Sequence, residues 1–295
     1  MNAAPQIGWV GLGSMGSRMA PNLVNGGYRV TGFDLDRSRT ASGAVEGLRE
    51  ASSMSMLASE SDVLFSMIPN DEAFLDVVRH LCGTGKAGAC LIDMSTISPD
   101  VSARGAALLD AGGISYLRAP VSGSTALAAA GTLSIWVSGP ENLFQLRRPL
   151  IALMGKKITY LGAHEEARIM KLVVNVIVAA INTSLAEALN LGRRSGLDWA
   201  AMIDAINDSA VASPYIASRV QKLKERDWSP AATVEVIAKD IDLALELATQ
   251  RGAFLPSAAL TRQILSAVEG KGHGNSTCPA SPRSSSDDFK DAPKL

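Results

Sequence analysis

Gly11-Leu12-Gly13-Ser14-Met15-Gly16 comes directly after the apolar run Ile7–Val10 and opens a helical pattern, Met15–Asn25. Three glycines at this spacing, between a strand and a helix, each have a task. The first permits a tight turn, the second lets a pyrophosphate approach the backbone, and the third lets the helix pack on the strand. The helix start then points free N–H groups at the phosphates. On this reading Gly11, Leu12, Gly13, Ser14, Met15 and Gly16 hold a dinucleotide. A glycine-rich turn with no ligand is the rival, and the next strand argues against it. Tyr28–Phe33 leads to Asp34, 18 residues after Gly16. An acidic side chain there can accept both ribose hydroxyls of NAD and repels the 2′-phosphate of NADP. NAD is therefore the favoured cofactor. NADP stays open because Arg37 and Arg39 lie nearby, although a solvated helix start explains both arginines.

Outward from this turn, short apolar runs alternate with helical patterns. Ile7–Val10, Tyr28–Phe33, Val63–Met67, Ala89–Met94, Ser115–Leu117, Leu133–Ser138 and Lys157–Tyr160 read as strands. Met15–Asn25, Asp71–Leu81, Asp100–Ala111 and Glu141–Met154 read as helices. Such alternation implies an α/β fold, a Rossmann-type, mostly parallel sheet covered on both faces. Near Gly162 the pattern changes. Glu165–Ser195 reads as one long helix, apolar on most sides and therefore buried in a core or an oligomer. Helical patterns continue over Trp199–Ser209, Tyr215–Arg226, Val234–Arg251 and Ala258–Glu269. The expected organisation is a dinucleotide-binding domain over 1–162 and an all-helical substrate and oligomerisation domain over 163–269. A Gly-, Ser- and Pro-rich tail over 270–295 is expected to be disordered.

Composition excludes several functions. With 295 residues and a formal net charge of -1, the chain has no electrostatic case for nucleic acid or an acidic membrane. Cys82, Cys90 and Cys278 are odd in number and lack paired metal spacing, and His80, His164 and His273 are scattered. Neither a disulfide framework nor a metal site is expected, and a reducing cytoplasm is the natural compartment. No targeting segment is visible. The apolar stretch Leu172–Ile181 contains Asn175 and is too short to span a bilayer.

Four further stretches, in order, make the chain resemble the β-hydroxyacid dehydrogenase family, which includes 3-hydroxyisobutyrate dehydrogenase and tartronate semialdehyde reductase. After the glycine turn come Met19-Ala20 and Asn22-Leu23. Asp93-Met-Ser-Thr-Ile-Ser-Pro99 resembles the family's strand-end segment beside the nicotinamide. Ala119-Pro-Val-Ser-Gly123, followed by Gly131-Thr-Leu133, resembles its substrate loop. Lys171 and Asn175 match its catalytic helix, and Lys239-Asp240 a cofactor-side pair. The resemblance covers about Ile7 to Glu269. It implies a Rossmann domain, a helical domain that takes part in a homodimer or homotetramer, and oxidation of a small 3-hydroxy acid or reduction of the matching semialdehyde.

The same resemblance assigns roles. Lys171 is the expected general acid/base, and burial and a cationic nicotinamide ring would both lower its pKa. Asn175, four residues on and on the same helix face, would orient Lys171 or bind substrate. A structural asparagine is its alternative. Ser122 and Gly123 would hold the substrate carboxylate, or form only a turn. Thr96 would contact the cofactor near the nicotinamide, or cap the helix before Pro99. Lys239 would reach cofactor or substrate, or be solvated. Ile68 and Pro69, within Met67-Ile-Pro-Asn70, would line the adenosine side, or merely turn the chain.

The chain also departs from the family pattern. Ala163-His-Glu-Glu-Ala-Arg168 stands where glycines are usual, and Val174 where a first asparagine is usual. Arg118 replaces an acidic residue before Ala119, and Ser124 a glycine after Gly123. The tail after Gly270 lacks the usual final helix. An imine reductase of the same architecture is an alternative that Lys171 disfavours. A catalytically idle NAD-binding module is another, disfavoured because Lys171, Asn175, Ser122 and Gly123 occur together.

Overall fold

A computed structural model describes residues 4–40, 47–228 and 233–270. The chain divides after Lys171 into two compact units. The first contains β1 (Ile7–Val10), α1 (Gly16–Asn25), β2 (Val30–Phe33), β3 (Arg49–Glu50), α2 (Met54–Glu60), β4 (Val63–Ser66), α3 (Asp71–Thr84) and β5 (Cys90–Asp93). It continues through α4 (Pro99–Ala111), β6 (Ser115–Arg118), β7 (Val121–Ser122), α5 (Thr125–Ala129), β8 (Leu133–Ser138), α6 (Glu141–Ile151) and β9 (Gly155–Gly162). The next helix, α7 (Glu166–Arg194), begins in the first unit and continues into the second.

The strands form one mostly parallel sheet in the order β3-β2-β1-β4-β5-β6-β8-β7, with β9 on β8. Only the pairings of β8 with β6 and β7 are antiparallel among the described residues. The first six strands follow the 3-2-1-4-5-6 order of dinucleotide-binding sheets. Such sheets bind ligands where the order reverses, beyond the carboxyl ends of the strands. Here that switch point lies between β1 and β4. The pleat accounts for the continuous apolar strands. Ile7, Trp9, Val63, Phe65, Cys90 and Ile92 pack into one buried cluster, while Val10, Leu64 and Leu91 pack into a second. A strand covered on both faces has no polar side to alternate with. Trp9 and Phe65 stack across the first cluster with centroids 5.5 Å apart.

Helix starts are set by local chemistry. Asn70 caps α3, which has Asp71 and Glu72 in its first turn, and Ser98 caps α4 ahead of Pro99. These caps fix where the loops after β4 and β5 end.

The second unit is all-helical among its described residues. After the rest of α7 come α8 (Trp199–Asn207), α9 (Pro214–Ala217), α10 (Val220–Glu225), α11 (Val234–Arg251) and α12 (Pro256–Val268). One core joins Leu185, Leu189, Met202, Ile203 and Leu223; others gather around Val234 and Leu265, and around Ala179 and Ile241. The helix expected over Tyr215–Arg226 is two shorter ones. Ser213 caps the first and Pro214 starts it, and the turn at Arg219 closes onto Ile216 before α10 begins. The tail expected to be disordered lies, from residue 271 on, outside the described residues.

The apolar character of α7 reaches further than Leu172–Ile181. Its 29 residues include an 18-residue window with mean hydropathy 1.8, enough by length and composition to cross a membrane. The core helix of a soluble protein passes the same test. Two polar side chains along α7 are bonded to protein: Asn175 donates to Asp240, and the Asn182 carbonyl oxygen accepts from Tyr215.

Candidate active site

The glycine turn sits at the switch point. Gly11 has φ +89°, and a side chain there would collide with the Met67 carbonyl after β4. Its own N–H donates to Phe33 O at 2.9 Å. Gly16 is equally confined, since a Cβ would collide with the Gly11 carbonyl. Gly13 is different: among the described residues the only atom within 4 Å of its Cβ direction is Arg39 Nη1, at 3.6 Å. Two glycines are thus required by protein packing, and the middle one leaves room for a ligand. α1 also begins at Gly16 with no side-chain cap on Met15, although the Ser17 and Arg18 N–H groups already donate to the Gly13 and Met15 carbonyls. The residues present fit a dinucleotide. Gly13→Ala is expected to fold with stability within about 0.5 kcal/mol of the parent while binding NAD at least about tenfold more weakly. Gly11→Ala is expected to lose about 1–2 kcal/mol of stability through its φ alone. Urea unfolding and a fluorescence titration separate the two effects.

Asp34 follows β2 and is buried. Its Oδ2 accepts the Leu12 N–H at 2.7 Å, and its Oδ1 accepts the Asp36 N–H at 2.9 Å. The carboxylate therefore shapes the glycine turn before any ribose arrives, a role the sequence reading missed. Arg39 is half-exposed and sits 3.6 Å from Asp34 and 3.3 Å from Asp36, so it is tied to these acids rather than merely solvated. Arg37 is exposed.

Ile68 is buried, and its N–H donates to Ser95 Oγ at 2.9 Å; Pro69 beside it is exposed. The loop after β4 is thereby bonded to the loop after β5, which carries half-buried Thr96. Thr96 is not the cap of α4, because Ser98 fills that place by accepting the Val101 N–H. Ser122 is held in β7 opposite Ser134 of β8. Gly123 follows with φ +147°, a conformation that favours glycine. Ser124, the departure beside it, caps α5 by accepting the Leu127 N–H.

Lys171 is half-buried in the second turn of α7. In the second unit, Asn175 Nδ2 donates to Asp240 Oδ2 at 2.5 Å, and Lys239 Nζ lies 2.9 Å from Asp240 Oδ1. Asp240 is buried and joins two residues that the sequence singled out separately. Asn175 is thus satisfied by a carboxylate rather than by backbone. The Cys90 thiol is pushed up to about 11 by burial, which leaves it protonated and inert at neutral pH.

The two arginines that broke the family pattern have acidic partners, Glu165 partly buried and Asp93 fully buried. Arg118 donates from Nε to Glu165 Oε1 at 2.9 Å and from Nη2 to the same oxygen, and lies over the Tyr116 ring at 4.4 Å. Arg168 is 1% exposed. Its Nη2 contacts Asp93 Oδ2 and donates to Tyr116 Oη at 2.8 Å, and its Nη1 donates to the Ser95 carbonyl at 2.6 Å. Asp93 Oδ1 in turn accepts from Ser66 at 2.5 Å and Ser95 at 2.7 Å. Burial works against the Arg168 charge, but Tyr116 and Asp93 outweigh it and raise its pKa above that of an ordinary arginine. Burial likewise pushes the Tyr116 phenol up, so it remains a neutral donor and acceptor.

A family model described as the NAD binding domain of 6-phosphogluconate dehydrogenase matches residues 6–162. A second, described as the NAD-binding of NADP-dependent 3-hydroxyisobutyrate dehydrogenase, matches residues 166–280. The chain is 32% identical to 2-(hydroxymethyl)glutarate dehydrogenase of Eubacterium barkeri over 278 residues, covering 93% of this chain and 92% of that one. It is 30% identical to 2-hydroxy-3-oxopropionate reductase of Escherichia coli K12, covering 90% and 92%. Among solved structures, 3-hydroxyisobutyrate dehydrogenase of Mycobacterium tuberculosis, determined with L-serine, superposes with a TM-score of 0.85 at 27% identity, covering 96% of this chain and 100% of that one. The chain belongs to the β-hydroxyacid dehydrogenase family, whose members are NAD(P)-dependent hydroxyacid dehydrogenases.

Proposed function

We propose that the chain transfers a hydride between a nicotinamide dinucleotide, NAD by preference, and a small 3-hydroxy acid or its semialdehyde, with Lys171 as general acid/base. One observation carries the reading furthest. The start of the helix bearing Lys171 is bonded to the loop that bears Thr96, at the carboxyl end of β5 in a dinucleotide-binding sheet. When bound, the nicotinamide supplies the hydride acceptor or donor. The protein supplies the rest. The glycine turn and the start of α1 take the pyrophosphate, and Asp34 takes the adenosine ribose. Thr96, with Ile68 and Pro69, borders the cofactor, and Ser122 with the Gly123 N–H takes the substrate carboxylate. Lys171 takes the hydroxyl proton in oxidation and returns it in reduction. Asn175 and Lys239, fixed by Asp240, bear on the substrate and the cofactor. The exposed apolar side chains Val173, Ile177 and Leu191 of α7 support a homo-oligomer.

Because Lys171 must be neutral to accept a proton, oxidation should accelerate as pH rises through its pKa, and reduction should slow over the same range. Parallel pH profiles in the two directions would contradict the assignment. A panel of small 3-hydroxy acids and semialdehydes, assayed with NAD and NADP by cofactor absorbance, tests the reaction class. Turnover of at least one pair is expected, and none would reduce the chain to a binding module. Turnover of cyclic imines instead would favour the imine reductase alternative. Asp34→Ala is expected to lower the ratio of NAD to NADP turnover at least about tenfold, and an unchanged ratio would remove the ribose contact.

A further inference from the structure

Arg168 lies three residues before Lys171 on α7, and its side chain is wholly inside the first unit. Every nitrogen of its guanidinium is engaged. Nη1 holds the carbonyl of the peptide that leads into Thr96, Nη2 holds Asp93 and Tyr116, and Nε reaches Ser102 Oγ at 3.4 Å. Asp93 passes the connection on through Ser95 to the Ile68 N–H. One side chain therefore ties the start of the Lys171 helix to both loops that border the cofactor. Tyr116 extends the linkage, since its ring lies under Arg118 while its hydroxyl meets Arg168. Arg118 precedes the substrate loop and grips Glu165 just before α7.

We propose that Arg168 is a positioning residue for the reaction: it sets Lys171 against the loops after β4 and β5, with Arg118–Glu165 as a second brace. Hydride and proton must move to partners held by different segments, and a displacement of about 1 Å is enough to cost about 100-fold in rate. A planar fork with several fixed donors holds such a relation in a way that a single flexible ammonium does not. The proposal rests on the reading of Lys171 as acid/base.

The test compares the parent with Arg168→Lys, Arg168→Met and the milder Tyr116→Phe. Hydrogen exchange of the cofactor-free protein is measured first. Arg168→Lys is expected to speed exchange together at residues 165–172, 67–70 and 94–98. Faster exchange confined to 165–172 would overturn the proposed linkage. The kinetic arm uses the hydroxy acid of the panel with the highest turnover, deuterated at its carbinol carbon. kcat is expected to fall about 10–100-fold in Arg168→Lys, further in Arg168→Met and several-fold in Tyr116→Phe, with NAD Kd within about twofold of the parent. The isotope effect on kcat should rise as hydride transfer becomes limiting. A merely structural role reduces the folded fraction and leaves the isotope effect unchanged, and that result would overturn the proposal. Should Arg168→Met fail to fold, Arg168→Lys and Tyr116→Phe carry the same comparison. Full turnover in Lys171→Ala would remove the acid/base reading while leaving the exchange result standing, so the two failures are distinguishable.

Discussion

Lys171→Ala is expected to lower kcat by about 10²–10⁴-fold while leaving NAD Kd within about twofold of the parent. Removing a proton acceptor raises the barrier only where a proton moves. On the proposed reading the dinucleotide is held elsewhere, by the turn at Gly11–Gly16 and by Asp34, whose carboxylate is bonded to Leu12 and Asp36. An alanine in the second turn of α7 also keeps the helix, since alanine is the best helix former. kcat should therefore fall with little change in unfolding free energy. Loss of cofactor affinity in parallel with kcat would place Lys171 in binding rather than in proton transfer.

Asp93→Ala is expected to cost about 3–5 kcal/mol of stability, because it strands the charge of Arg168 in a site closed to water. Both side chains of the pair are 0% exposed. The loss is large against a typical total of about 5–15 kcal/mol, so the urea midpoint should drop steeply. The double variant Asp93→Ala/Arg168→Met removes both charges and should recover most of the difference, since replacing a buried pair by apolar groups is often nearly neutral. A single variant within about 1 kcal/mol of the parent would mean that the pair is not buried as described. Recovered stability without recovered turnover is what the bracing role of Arg168 requires.

Much of the fold was legible because it rests on local signals. The turn between Ile7–Val10 and α1 announces itself by glycine spacing, and two-sided burial of the sheet writes itself as continuous apolar runs. β1, β8 and α11 occur at the bounds their patterns gave. The elements missed are those too short to carry a period: β3 and β7 have two residues each, and α5 has five. α2 was missed as well; it has seven residues, about two helical turns, and is set by the Ser53 cap.

The site divides along the same line. Residues in motifs could be named from sequence, whereas their partners could not. Arg168 and Asp93 are 75 positions apart, and Arg118 and Glu165 are 47 apart. No period links such pairs. The available signal was that two arginines entered apolar surroundings at places where the family pattern offers other residues. A buried charge requires a partner, and Asp93 and Glu165 were already in the neighbouring motifs. Asp34 presents the converse case. Its position after β2 pointed to a ribose, while the Leu12 N–H that it accepts became visible only once β1 and β2 were side by side.

The central claim, direct hydride transfer from a 3-hydroxy acid with Lys171 receiving the proton, is tested most directly by following a deuterium label. The best hydroxy acid of the panel, deuterated at its carbinol carbon, is incubated with NAD and either the parent chain or Lys171→Ala, and the reduced cofactor is analysed by mass. The parent chain is expected to place the deuterium on the nicotinamide ring, at a rate about 10²–10⁴ times that of the variant. Reduced cofactor without the label, or equal rates from the two proteins, would contradict the account.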